Sequence, residues 1–501
     1  MFQPEKEKLN KFFFNSITKA GLTVCLFSLC SFTFAQEWSF DEQTQEAYLL
    51  ALNLQTAEVH ERIPQPETPQ QHYVASLAEA LELLITEDAD KYSEYERNFE
   101  TRASRKLKKT DVAELFLEAE IHMHWAFVYL KFGHEFDAAI NFRHAYNTTQ
   151  QIKERFPNYK AILKTDGLLE VIIGSIPEKY NWVLSVLNMQ GTLKMGLEEF
   201  ETISKANHPL SFEAGLWLAF THGFVLQQPD FAIKEINQLL KQRPSNRIAL
   251  FLGANLHLKN NNSEEALKML NILDNQSIGL PLYYTAYLKG EIFLHKAEYL
   301  NSISAYRYFL NHYKGLNYIK DAHYKIGLCY WLNGNTNDAY AIFKQAKSIG
   351  KEATEPDKYA ARNLSESKLP NISLAKARYY TDGGYYKEAS QTLDKLNFST
   401  LEKKSDQVEY HYRHARLAHR MNDLEKAKAS YHKTIEITLE EDSYFAPNAY
   451  LQLGYIALAD RDTTTAKTCF TRALSFKKHE YKNSIDSKAR SALAQLNVSS
   501  K

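Results

Sequence analysis

From Ala446 to Lys477 the chain alternates apolar and polar positions with the period of a helix, breaks at a polar turn, and resumes. Tyr450, Leu453, Gly454 and Ala457 share one face of the first segment, and Ala466, Phe470 and Ala473 one face of the second. This predicts two short amphipathic helices. Small residues at Gly454 and Ala466 suit a close crossing, and Phe470 supplies the bulk that locks it.

Variants of this unit recur along the chain. Asp111–Thr149 carries it as Ala126, Tyr129, Ala138, Phe142 and Ala145, and the clearest internal copy has Gly327, Tyr330, Ala339, Phe343 and Ala346. The small residue of the second helix returns at Ala232, Ala266, Ser302, Ala339, Ala389, Ala427 and Ala466, at separations of 34, 36, 37, 50, 38 and 39 residues. Pro244 closes the copy at Ala232. A helix-turn-helix unit of roughly 34 residues with small, aromatic and small residues at set offsets is the tetratricopeptide pattern. The fold expected is all-α, a right-handed tetratricopeptide-like superhelix (an α-solenoid) in which stacked pairs share one continuous core. The 50-residue gap contains an insertion at residues 351–370, expected to be a flexible seam.

The N-terminal part differs. Residues 1–35 combine Lys6, Lys8, Lys11 and Lys19 with an uncharged apolar run, Ala20–Phe34, and end in Thr33-Phe34-Ala35. That is the pattern of a cleaved export signal, with an uncleaved anchor as the lesser alternative. Cys25 and Cys30 fall within it, so Cys329 and Cys469 remain, both in repeat helices and expected as buried thiols. One helix is expected over Glu42–His60, an extended connection at Pro64, Pro66 and Pro69, a second helix near Tyr73–Leu84, and a solvated charged stretch to Lys109. Within Asp166–Phe200, Gly167–Ile176 is apolar nearly all round, Pro177 is placed to open a helix and Gly191 to end it. Two readings are open for it: a hairpin plugged into the superhelix, or a degenerate repeat. The boundaries expected are an N-terminal helical region over 36–205, repeats over 206–350, the insertion, and C-terminal repeats over 371–501.

Gly167-Leu168-Leu169, Ile173, Ser175-Ile176-Pro177, Leu187, Gly191 and Gly196-Leu197 resemble the central segment of the tetratricopeptide repeat protein 39 (inclusion-clearance) family. Tyr444-Phe445-Ala446-Pro447 through Leu453-Gly454 to Tyr481-Lys482-Asn483 is similar to the end of that family and of exported bacterial relatives. Met189 and Thr192 depart from the aromatic and acidic residues usual there. The resemblance implies an all-helical interaction protein, sometimes membrane-associated, without a catalytic site.

Composition narrows the function. Gly 18 and Pro 13 in 501 residues are about half the usual share, as befits helices with short connections. The formal net charge is +0, and −2 beyond the leader, which leaves no electrostatic footprint for nucleic acid. No GxxxxGK[ST], GxGxxG, HExxH or GxSxG motif occurs, so neither an enzyme class nor a cofactor is indicated. His122 and His124 lie on different helix faces. His411 and His414, with Glu409 nearby, have metal-compatible spacing, although packing is the commoner role. Tyr379, Tyr380, Tyr385 and Tyr386 around Gly383-Gly384 read as packing rather than as a binding surface.

The leading expectation is an exported, non-catalytic scaffold or adaptor that holds a protein or peptide partner in its concave groove, in the periplasm or at the outer membrane of a Gram-negative cell. The alternatives are a carrier or sensor of an apolar ligand held around Leu168–Ile176, or an envelope-associated assembly factor; peripheral membrane association stays open. Arg378 and Arg416 each follow the small residue of a first helix, Ala377 or Ala415, at a place that faces the groove. Tyr412 and Arg420 lie one turn to either side of Arg416. These four, with Tyr324 and Trp331, are the candidate partner-binding residues, the alternative role of the arginines being ion pairs with neighbouring helices.

Overall fold

The computed structural model describes residues 37–105, 110–176, 189–366, 369–438 and 443–499. The leader, Pro177 and Leu187 lie outside the described residues. Within them the structure is helical throughout, with no strand.

Four helices open the described residues: α1 (Glu42–Leu52), α2 (Thr56–Arg62), α3 (Pro69–Thr86) and α4 (Ala89–Ala103). The single helix expected over Glu42–His60 is broken because Leu54 takes a left-handed conformation, φ 56°. Its carbonyl then accepts the backbone N–H of Leu280, 2.7 Å away, from far along the chain. A capping box between Thr68 and Gln71, with Pro69 in the first turn, starts α3. The charged stretch is not wholly solvated. Tyr95, Phe99 and Arg102 of α4 are buried, and Arg102 Nη2 donates to Glu79 Oε1 at 2.7 Å.

Nine antiparallel helix pairs follow. They are α5 (Val112–Phe132) with α6 (Glu135–Arg155), α7 (Ile162–Ser175) with α8 (Leu193–Ser204), α9 (Ser211–Phe220) with α10 (Pro229–Gln242), α11 (Arg247–Lys259) with α12 (Ser263–Asp274) and α13 (Tyr284–His295) with α14 (Tyr299–His312). Then come α15 (Ile319–Leu332) with α16 (Thr336–Ala346), the inserted α17 (Glu355–Glu366), α18 (Ile372–Gly383) with α19 (Tyr386–Asp394), α20 (Lys404–Arg420) with α21 (Leu424–Ile437), α22 (Phe445–Ala459) with α23 (Thr463–Ser475), and a closing α24 (Lys482–Ser499). Each pair packs on the next, as in a tetratricopeptide-type solenoid.

One contact recurs within the pairs. A Cβ added at Gly290, Gly327 or Gly454 would lie 2.6, 2.6 or 2.5 Å from the ring of Tyr306, Phe343 or Phe470. In each case the ring belongs to the second helix, sixteen residues on, and occupies the space the glycine leaves. The small second-helix residues Ala232, Ala266, Ser302, Ala339, Ala389, Ala427 and Ala466 are all fully buried. A left-handed residue then turns the chain seven positions after the first-helix small residue, at Asn261, Ala297, Asn422 and Arg461, with φ of 57°, 59°, 61° and 63°.

Of Asp166–Phe200, residues 177–188 lie outside the described residues, and the described part forms a layer of the stack. Helix α7 packs on α6 and α8, and α8 on α9. Gly167 faces the Phe200 ring and the Gly196 backbone, so backbones approach closely. Leu168, Leu169, Val171 and Ile173 are buried core residues. Within the expected flexible seam, residues Glu355–Glu366 form α17, which docks on α15. Its buried Asp357 accepts the backbone N–H groups of Tyr318 and Asp321, at 2.9 and 3.0 Å, and so caps α15.

A buried ionic network ties the N-terminal layers together. Lys164 Nζ donates to Glu120, to Glu213 Oε1 at 2.8 Å and to the Tyr73 hydroxyl at 3.2 Å. Tyr48 and Tyr73 both donate to Glu213 Oε2. Cys329 and Cys469 are buried free thiols. No helix among the described residues is long and apolar enough to cross a membrane.

Phe470 is completely buried. Phe470→Ala is expected to cost about 3–5 kcal/mol. Because repeats couple mainly to their neighbours, hydrogen exchange should rise in α22–α24 before it rises in α5–α8. A uniform rise along the chain would contradict this arrangement.

Candidate binding cavity on the inner face

The first helices of successive pairs end at a common inner face. There the turns after α11 and α18 touch, and Asn261 Nδ2 donates to the Asp382 carbonyl at 2.8 Å. Beside this contact lies a cavity of about 630 Å³. Lys259 comes from α11, Arg416 and Arg420 from α20, and Lys488 from α24, so four cations from three separated parts of the chain border one space.

The opposing charge is smaller. Asp382 is shared by Arg378 Nε at 3.5 Å and Arg416 Nη2 at 4.0 Å. Burial raises the proton affinity of its carboxyl, but Arg378 and Arg416 outweigh that and hold it below the ordinary carboxylate range. Asp230 accepts the Asn260 side chain at 3.0 Å. Among the described residues, Lys259, Arg420 and Lys488 have no carboxylate partner; Lys259 lies 5.3 Å over the Phe224 ring. The potential shows in the neighbours. Burial, then Lys259, Arg416 and Arg420, push the Lys488 ammonium down to about 8, and burial with Arg416 and Arg420 pushes His419 down to about 4. Four cations facing two carboxylates suit an anionic group.

A larger cavity of about 800 Å³ lies beside Gly279–Tyr283, but its charges are already engaged. Arg247 Nη1 donates to the Ile278 carbonyl at 2.9 Å, and Lys289 pairs with Asp274.

Only Arg416 and Arg420 of the sequence candidates line the inner cavity. Arg378 stacks on Tyr359 and Tyr379 and pairs with Asp382, the role weighed as its alternative. Tyr412 is 2% exposed, packed against Tyr431, Tyr444 and Phe445. Tyr324 is buried against Phe343 and Tyr359, because α17 covers the face that the repeat pattern leaves open. Trp331 Nε1 donates to the Pro370 carbonyl at 3.0 Å. Tyr412 and Tyr324 are thus packed side chains, Tyr324 also bordering a small cavity beside Leu364 and Leu369, and Trp331 is half-buried. Glu409 is held by Arg413, at 2.9 and 2.6 Å, rather than grouped with His411 and His414.

A register signal could have found more of the cavity. Lys259, His295, Asp382 and Arg420 each lie five residues after the first-helix small residue Ala254, Gly290, Ala377 or Ala415. All four border the cavity. Lys488 sits in the closing helix, where no repeat register exists.

The tetratricopeptide repeat family matches residues 321–348, 408–440 and 447–479. No curated protein matches the sequence. Among solved structures, the human IFIT1 dimer with PPP-AAAA is similar at 15% identity over 92% of this chain and 95% of that chain, with a TM-score of 0.32. Yeast Tom70 is similar at 14% identity over 90% of this chain and 97% of that one, with a TM-score of 0.27.

Lys488 is charged at a cost imposed first by burial and then by its cationic neighbours. A base whose folded pKa lies below its ordinary 10.5 lowers stability at neutral pH, and that deficit vanishes as pH climbs from about 8 towards 10.5. Lys488→Met is therefore expected to stabilise the protein at pH 7 by on the order of 1 kcal/mol, with the difference from wild type closing above pH 8. Denaturant unfolding at pH 7 and pH 10 checks this.

Proposed function

We propose that the protein is an exported, non-catalytic binding scaffold whose inner cavity receives an acidic group, a carboxylate-bearing segment, of a protein partner. The observation that carries this reading is the convergence of Lys259, Arg416, Arg420 and Lys488 on one cavity, with Arg420 and Lys488 lacking a carboxylate partner among the described residues. A structural ion-pair network would be charge-matched, because a buried unpaired charge is costly. Here the excess positive charge makes the empty cavity the less stable state and an anion its natural complement. Arginine adds geometry, since its planar fork pairs with both oxygens of one carboxylate.

The Lys-flanked apolar leader supports export, and the tetratricopeptide matches support a protein partner. The test is crosslinking and pulldown of the mature chain from its own cell envelope, with wild type beside Arg416→Glu/Arg420→Glu. Recovery of a partner is expected to fail in the variant while its helical circular dichroism persists. Wild-type binding should weaken as salt rises. Unchanged recovery by the folded variant would remove the cavity as the binding site. Intact-mass measurement of envelope protein should give a chain beginning at or near Gln36; a full-length chain in the cytosol would overturn export.

A further inference from the structure

Far from that cavity, the first helix pair brings together three side chains that no reading above uses. Glu118 and His122 lie four residues apart on one face of α5, and His144 faces them from α6. The His122 and His144 rings stack with centroids 3.8 Å apart and an interplanar angle of 29°. One donor atom from each of the three residues lies within 4.8 Å of the others. We propose that Glu118, His122 and His144 form a divalent transition-metal site, with Zn²⁺ the ion it takes.

The surrounding contacts are those a metal-binding histidine needs. His122 Nδ1 and Asn141 Oδ1 are 2.6 Å apart, and Asn141 Nδ2 donates to the Asp137 carbonyl at 2.8 Å. With the amide nitrogen so engaged, Asn141 presents its oxygen, and His122 must carry its proton on Nδ1. The Nε2 lone pair is then free, and Nε2 has no hydrogen-bond partner among the described residues. An outer hydrogen bond that fixes ring and tautomer is the usual support for a metal-bound histidine.

His144 Nε2 lies 2.7 Å from Glu118 Oε1. An ion inserted there displaces any proton the pair shares and binds one nitrogen from each ring and one carboxylate oxygen. Two imidazoles and a carboxylate suit zinc rather than magnesium or calcium, which prefer all-oxygen sites. Zinc–ligand bonds of about 2.0–2.2 Å require the donors to draw together. The His144 side chain, 43% exposed, has room to move. Its exposure also leaves a fourth position open to water.

The experiment uses the full chain, stripped with a chelator and titrated with Zn²⁺ by calorimetry and with Co²⁺ by visible absorption. One equivalent should bind with a tetrahedral-type Co²⁺ spectrum. Binding should weaken at least tenfold in His144→Gln and in Glu118→Gln, with circular dichroism unchanged. Asn141→Leu should weaken it roughly 10–100-fold, the range for a lost outer partner. The chain has 17 histidines, so adventitious binding is the competing outcome. Equal affinity in wild type and His144→Gln, or no one-equivalent event in wild type, would overturn the proposal.

Discussion

The structure depends on how closely two helices of a pair can cross. At Gly290, Gly327 and Gly454 the first helix has no side chain, and an aromatic ring of the second helix takes that place. A helix pair has too little apolar surface to stand alone, so each pair must bury its remaining face on the next. Close crossing within the pairs keeps every layer similar in thickness, and similar layers stack with a regular turn. The left-handed residues Asn261, Ala297, Asn422 and Arg461 fix where their first helices end relative to their neighbours.

That regular turn has an electrostatic consequence. The ends of first helices separated by more than a hundred residues meet at the inner face, where Asn261 bonds to the Asp382 carbonyl. Side chains at one position of the repeat therefore become neighbours in space. At that position stand Lys259, His295, Asp382 and Arg420, and the closing helix adds Lys488. Packing sets the meeting, and the charges meet at a cost visible in the depressed Lys488 and His419. The buried Lys164–Glu120–Glu213 network of the N-terminal layers is the contrast: a buried cation matched by carboxylates and hydroxyls. One cluster holds the fold together, and the other is left with charge to offer.

Much of the fold was legible in the sequence because close crossings demand small residues at fixed intervals. The series from Ala232 to Ala466 marked the second helices, and the structure buries these small residues completely. Legibility failed where a contact came from outside the pair. Leu54 breaks the first helix to meet Leu280, and α17 is ordered by Asp357 capping a helix earlier in the chain. For the site, the register around Ala415 led to Arg416 and Arg420, which border the cavity, and to Tyr412, which packs against Phe445 instead. Periodicity tells which face turns away from a helix's partner. It does not tell which later element covers that face, and Phe445, α17 and Pro370 do so here.

The central claim is that stacking gathers cations from distant repeats around one cavity, and Lys488 reports on it directly. Its ammonium can be followed in the intact chain by NMR of ¹³C-methylated lysines, assigned with Lys488→Arg. A titration midpoint near 8, moving upward in Arg416→Gln/Arg420→Gln, is the expected result. A Lys488 that titrates near the ordinary 10.5 and ignores those arginines would contradict the convergence.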